Sequence, residues 1–199
     1  QELPDIDEAL SLLTEALEKQ KHILVWGDFD VDGQTATTTL VEGLRELGGF
    51  VSYHIPVRGK ESHGISRQVL ENFLEQGFDL LLTCDTGISE HENIQFIRNA
   101  GIPVIVTDHH SLGDTLPPAN AVINPQRLPK DHPLHTLPGV GVAYKLIQAL
   151  FQAVDQPFNE GHYQELAALG IVSDVAKLQG DARHLLQRGL MSLRETQRL

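Results

Sequence analysis

The stretch His22–Gly33, HILVWGDFDVDG, places a structural element and a chemical motif side by side. Its first five residues, His22–Trp26, form a short apolar run with the composition of a buried strand. Gly27 follows, then three acids at alternate positions, Asp28, Asp30 and Asp32, closed by Gly33. A helical pattern over Thr35–Leu47 comes next. Acids between a buried strand and a helix lie beyond the strand's carboxyl end, which is where open parallel sheets bind ligands.

The alternation repeats downstream. Phe50–Ile55 reads as a strand and Ser66–Gln76 as a helix with Ser66 at its N-cap. Asp79–Thr83, Ile102–Val106 and the short Ala121–Ile123 read as strands, with a helix over Ser89–Ala100. Leu112–Pro138 holds most of the prolines and reads as an irregular connection. Beyond it the pattern is helical only, over Val142–Val154, His162–Ala176 and Asp181–Leu193. The expected fold class is α/β: a doubly wound, mainly parallel sheet with helices on both faces, followed by a C-terminal helical segment. The expected division is an α/β domain over 1–138 and a helical segment over 139–199 packed on the same core.

Two further strands end in chemistry. Asp85 follows the third in TCDTG, and Asp108, His109 and His110 follow the fourth in VTDHH. Three strands thus deliver carboxylates and imidazoles to one edge. Ionised carboxylates at close range repel and raise one another's pKa values unless cations sit among them. Carboxylate with neutral imidazole suits Mn2+ or Mg2+. So many ligands exceed what one ion needs. Two ions about 3.5–4 Å apart fit better, and such a pair activates water and neutralises charge on a phosphoryl group.

Other readings meet these residues with less success. The Asp28-x-Asp30-x-Asp32-Gly33 spacing opens an EF-hand loop, but the twelfth position holds Thr39 rather than Glu. A strand followed by Asp-x-Asp resembles a haloacid-dehalogenase phosphatase with Thr83 and Lys145 as partners, which leaves His109 and His110 unused. Singly, Asp85 could cap a helix and Asp108 a turn.

Composition bounds the rest. The chain has 27 acidic and 15 basic residues, a formal net charge of −12. Nucleic-acid binders usually present a basic surface. Acids collected in a cation site push the count the other way, so charge does not exclude a nucleic-acid substrate. The single cysteine, Cys84, excludes an intrachain disulfide and fits a reducing, cytoplasmic setting. It reads as an ordinary buried thiol. No run approaches the roughly eighteen apolar residues of a membrane span, so no membrane partner is expected. The polar start QELPDIDEAL shows no signal peptide, and the absence of an initial Met suggests a fragment of a longer chain.

Two secondary features are open. Arg58, Lys60 and His63 follow the second strand and are either a phosphate-contacting loop or a solvated turn. Gly139-Val140-Gly141 offers helix N–H groups to an anion, or is simply a tight helix entry.

GDFDVDG, CDTG and VTDHH together resemble the first three motifs of the DHH phosphoesterase superfamily, with Asp108-His109-His110 as its eponymous triplet. ALGIVSDVA, centred on Asp174, resembles the fourth. PVRGKESHGIS, AVINPQ and LPGVGVAYKL are similar to the RecJ exonuclease group within it. The resemblance covers nearly the whole chain. It implies metal ligands at Asp28, Asp30, Asp32, Asp85, His109 and Asp174, with Asp85 the bridge between two ions. It implies His110 at the scissile phosphate and Asp108 orienting the histidines from behind. It further implies 5′-to-3′ hydrolysis of single-stranded DNA with Mn2+ preferred and Mg2+ usable, in repair and recombination alongside repair or replication proteins. The group commonly has Tyr at Phe29 and an aromatic residue at His63. Its later DHH-associated and oligonucleotide-binding domains are not in this sequence. Another DHH phosphoesterase acting on short RNA, cyclic dinucleotides or pyrophosphate is the alternative, as is a non-catalytic replication scaffold.

Overall fold

The computed structural model describes residues 3–61 and 63–198; Ser62, inside the PVRGKESHGIS segment, lies outside them. The elements run α1 (Ile6–Glu18), β1 (His22–Trp26), α2 (Val31–Glu46), β2 (Phe50–His54), α3 (Arg67–Gln76), β3 (Leu80–Cys84), α4 (His91–Asn99), β4 (Val104–Thr107), β5 (Ala121–Ile123), α5 (Gly139–Ala153), α6 (Glu160–Ser173) and α7 (Gly180–Ser192). The five strands order as β2-β1-β3-β4-β5, and every neighbouring pair is parallel. The expected α/β fold is therefore present, with a sheet that is wholly rather than mainly parallel.

Alternate residues of β1, β3, β4 and β5 enter different cores, as a period of two requires. Ile23 and Val25 of β1 pack with Leu80, Leu82 and Cys84 of β3 under α1, α2 and α5. Leu24, Trp26, Leu81, Val104 and Val106 face the other way, against Leu70 of α3 and Ile94 and Ile97 of α4. The first of these cores continues into Tyr163, Ile171 and Leu185, so α6 and α7 share it with the sheet.

Strand order reverses between β1 and β3. In this topology that is the switch point, where diverging connections open a crevice beyond the strand ends. Asp28 leaves β1 and Asp85 leaves β3 at that crevice.

The largest departures from expectation are at α2 and α1. α2 starts at Val31 rather than Thr35, because Asp30 caps it by accepting from the Gly33 N–H at 2.9 Å. Asp30 and Asp32 are thus the N-cap and first turn of the helix itself. α1 adds a helix ahead of the first strand, its Ile6, Ala9, Leu13 and Ala16 buried along one face.

Candidate metal centre

Seven of the side chains singled out above converge beyond the strand ends. Ligand atoms of Asp28, Asp30 and Asp85 lie within 4.8 Å of one another, as do those of Asp85, His109 and His110, and those of Asp32, His109 and Asp174. Asp85 joins the first two groups and His109 the last two. The EF-hand reading fails, since Asp28 leaves a strand and Thr39 is buried inside α2. The dehalogenase reading fails as well: Lys145 pairs with Asp181 at 2.7 Å, and Thr83 donates to the Thr86 carbonyl.

Each of these side chains is placed by the backbone around it. Asp85 adopts φ 58°, a left-handed conformation uncommon for a residue with a side chain, and is 2% exposed. Asp32 is 1% exposed and accepts from the Gly139 and Val140 N–H groups at 2.7 and 2.8 Å. The N-terminus of α5 therefore grips a protein carboxylate, as the helix dipole favours. Asp174 sits at the C-cap of α6, an element that α2 also packs against. Gly139 is tight against Asp85: a Cβ there would stand 2.7 Å from the Asp85 Cβ and Oδ1. At Gly170 a Cβ would stand 2.8 Å from Asp32 Oδ1.

For Gly139, the expectation of an N–H offered to substrate is corrected by these contacts in favour of the tight helix entry. The Gly139 N–H belongs to Asp32, and Gly141 lies against Leu137 and Pro138. Close approach is the reason for both glycines.

The electrostatics of the cluster favour a cation among its carboxylates. Burial and the neighbouring Asp85 push Asp32 up to about 7. Burial pushes Asp85 up to about 6, against the pull of His109. Burial also raises Asp174. For His109, burial acts downward but the carboxylates of Asp85, Asp32 and Asp174 outweigh it and hold the ring at about 9. Asp85 Oδ1 is buried without a hydrogen bond: His109 Nε2 is 3.0 Å away but off the direction such a bond needs. A buried carboxylate oxygen without a donor, among carboxylates that resist ionising together, suits a divalent cation. The donor set, oxygen with imidazole, is the one hard divalent ions take.

Asp108 belongs to none of these groups of ligand atoms. Oδ1 accepts from the His109 and His110 N–H groups and from His110 Nδ1 at 2.7 Å, and Oδ2 accepts from the Ile88 N–H. Burial would raise Asp108, yet these bonds hold its pKa below the usual carboxylate range. Asp108 in turn raises His110. On the loop after β2, His63 Nδ1 comes within 3.6 Å of Asp28 Oδ2, and the Arg58 guanidinium lies 5.2 Å from the centre of the Phe29 ring. Lys60 is exposed. Asn124, which sequence reasoning did not assign to the site, is fully buried beyond β5 and donates to the His110 carbonyl at 3.0 Å. Its signal was its place in AVINPQ, directly after a strand.

Known proteins are similar to this chain over nearly its whole length. The single-stranded-DNA-specific exonuclease RecJ of Haemophilus influenzae is 40% identical over 203 residues, covering 97% of this chain and 35% of that protein. A crystal structure of exonuclease RecJ bound to manganese matches with a TM-score of 0.89 at 40% identity, covering 96% of this chain and 48% of that one. RecJ from Thermus thermophilus in complex with Mn2+ matches at 0.86 and 37% identity, covering 99% of this chain and 28% of that one. The chain thus spans about a third of the length of the curated relative. No described helix is long and apolar enough to cross a membrane. The sequence profile of the DHH family, N-terminal domain, matches residues 22–171, from the first strand through most of α6, and the chain belongs to that family.

Proposed function

We propose that this chain is the catalytic core of a phosphodiesterase that hydrolyses single-stranded DNA from its 5′ end and releases 5′-mononucleotides. Its cofactors are two divalent cations, Mn2+ by preference with Mg2+ as a substitute. The carrying observation is that Asp85 and His109 each belong to two adjoining groups of ligand atoms. Asp28, Asp30 and Asp85 would hold one cation, and Asp32, His109 and Asp174 the other. When bound, the cations make a water nucleophilic near neutral pH and offset charge on the phosphoryl oxygens.

The remaining work falls to the chain. His110 gives Nδ1 to Asp108 and keeps Nε2 for a phosphate oxygen or the leaving group. Asp108 raises the His110 pKa and so favours the donating form. Arg58 and His63 meet the substrate phosphate from the loop after β2. Segment 139–199 belongs to the same catalytic unit, since it brings Asp174 and the N–H groups that orient Asp32. The relatives' description as single-stranded-DNA-specific exonucleases supports the substrate class. The same reading puts the protein in the cytoplasm, receiving strands from repair or replication proteins.

Calorimetric titration with Mn2+ is expected to show two sites per chain. Asp85→Asn is expected to weaken uptake and cut strand cleavage by more than about a hundredfold, beyond what loss of an outer partner costs. A chain that takes up no Mn2+, or an Asp85→Asn variant with parental activity, refutes the assignment.

A further inference from the structure

We propose that the cleft between the cation cluster and the loop ahead of α5 seats the nucleotide on one side of the scissile bond, with Lys130 and Lys177 holding its phosphate. This rests on the phosphodiesterase reading above. The cleft encloses about 330 Å3, near the lower end of ligand-sized cavities. His109 and Asp174 of the cluster form part of its wall, so it opens directly onto the reacting centre. Gln126, Lys130, Thr136 and Lys177 line the rest of its polar surface, with His135.

The uncommitted donors in that wall are few. His135 Nδ1 is 3.1 Å from the carbonyls of both Pro125 and Leu128, and Thr136 donates to the Gln179 carbonyl at 3.2 Å. Ion pairs among the described residues engage Lys19, Lys21 and Lys145, but neither Lys130 nor Lys177. Both of these lysines are exposed. In a chain with net charge −12, a phosphate at the cluster also meets the carboxylates of Asp28, Asp30, Asp32, Asp85 and Asp174. Two unpaired ammonium groups at the rim of that cluster supply the point charges a phosphate needs there.

The two flanks of the cluster also differ in kind. On one, the Phe29 and His63 rings lie 4.3 Å apart with Arg58 over Phe29. The Lys130–Lys177 cleft has no Phe, Tyr or Trp in its wall. With Lys130 and Lys177 on the phosphate, their contribution to binding is independent of base sequence.

The test uses this chain loaded with Mn2+ and a fluorescent phosphorothioate strand that resists cleavage, followed by anisotropy. Lys130→Gln/Lys177→Gln is expected to raise Kd roughly tenfold, to the same extent on oligo-dT and on mixed sequence. The slope of log Kd against log salt should flatten by about 0.7 for each phosphate no longer neutralised. With a cleavable strand, most of the loss should appear in KM rather than kcat. Lys19→Gln, far from the cleft, serves as the charge control. A double variant with the parental Kd and salt slope overturns the proposal, as does a loss that depends on base sequence. A parent that takes up no Mn2+ sinks the phosphodiesterase reading itself, and this one with it.

Discussion

Asp108 is held by four hydrogen bonds at 1% exposure, and they settle where His110 points. Asp108→Asn keeps an acceptor but loses the charge that raises His110, and its amide must leave at least one donor facing another donor. The expected result is a kcat lower by about 10–100-fold with Mn2+ stoichiometry unchanged, checked by kinetics and calorimetry on one preparation. Loss of the metal sites would instead make Asp108 a ligand. Residues of this kind are legible because they are side chains with chemistry: Asp28, Asp30, Asp32, Asp85, His109 and Asp174 all stand in the cluster that their strand-end positions and motifs announce. The partners of Asp32 are not legible. They are backbone N–H groups 107 and 108 residues away, and a backbone donor leaves no mark in a sequence.

Elements show the same division. The strands at β1 and β5 match the apolar runs residue for residue, because a buried parallel strand is bounded where apolar character ends. Helix starts shift by several residues where capping decides them: α2 opens at the acids of its own motif, and α5 opens at Gly139 rather than Val142. α1 carries its apolar stripe plainly, but its Asp5 N-cap adopts a left-handed conformation and makes no side-chain cap bond. Gly139 tests how far an element end governs the site. Ala there would put a methyl 2.7 Å from Asp85, whose left-handed backbone leaves little room to yield. Gly139→Ala is expected to cost about 1–3 kcal/mol in urea unfolding, as overpacking does. It should also weaken Mn2+ binding at least tenfold, in the range of lost support around a ligand. Gly141→Ala meets the end of the Leu137 side chain, which can turn aside, so both effects should be smaller. Equal effects at the two positions would show that α5 is merely sensitive to bulk.

For the molecule as a whole, the cluster couples folding, protons and cations. One core runs from Leu3 through the sheet to Leu186, so the stretches before and after residue 138 share the interior that holds the site. Folding raises Asp32 to about 7 and Asp85 to about 6, well above ordinary carboxylates. From roughly pH 4 to 7 the folded chain therefore binds protons that the unfolded chain has released, and stability falls as pH rises. His109, held at about 9 against an ordinary 6.5, continues the fall from near neutrality to about pH 9. Cations compete with those same protons, because carboxylate and imidazole must be deprotonated to serve as ligands. Stabilisation by Mn2+ should thus be small at pH 5 and grow toward pH 8, as ligand binding to the folded state alone requires. Paired melting curves in EDTA and in excess Mn2+ read this directly as a Tm difference that widens with pH. In Asp32→Asn, which keeps a polar side chain beside the α5 N–H groups but removes one charge, the EDTA curve should flatten and the gap should narrow. A gap constant from pH 5 to 8 would mean that the cations bind away from Asp32, Asp85 and His109.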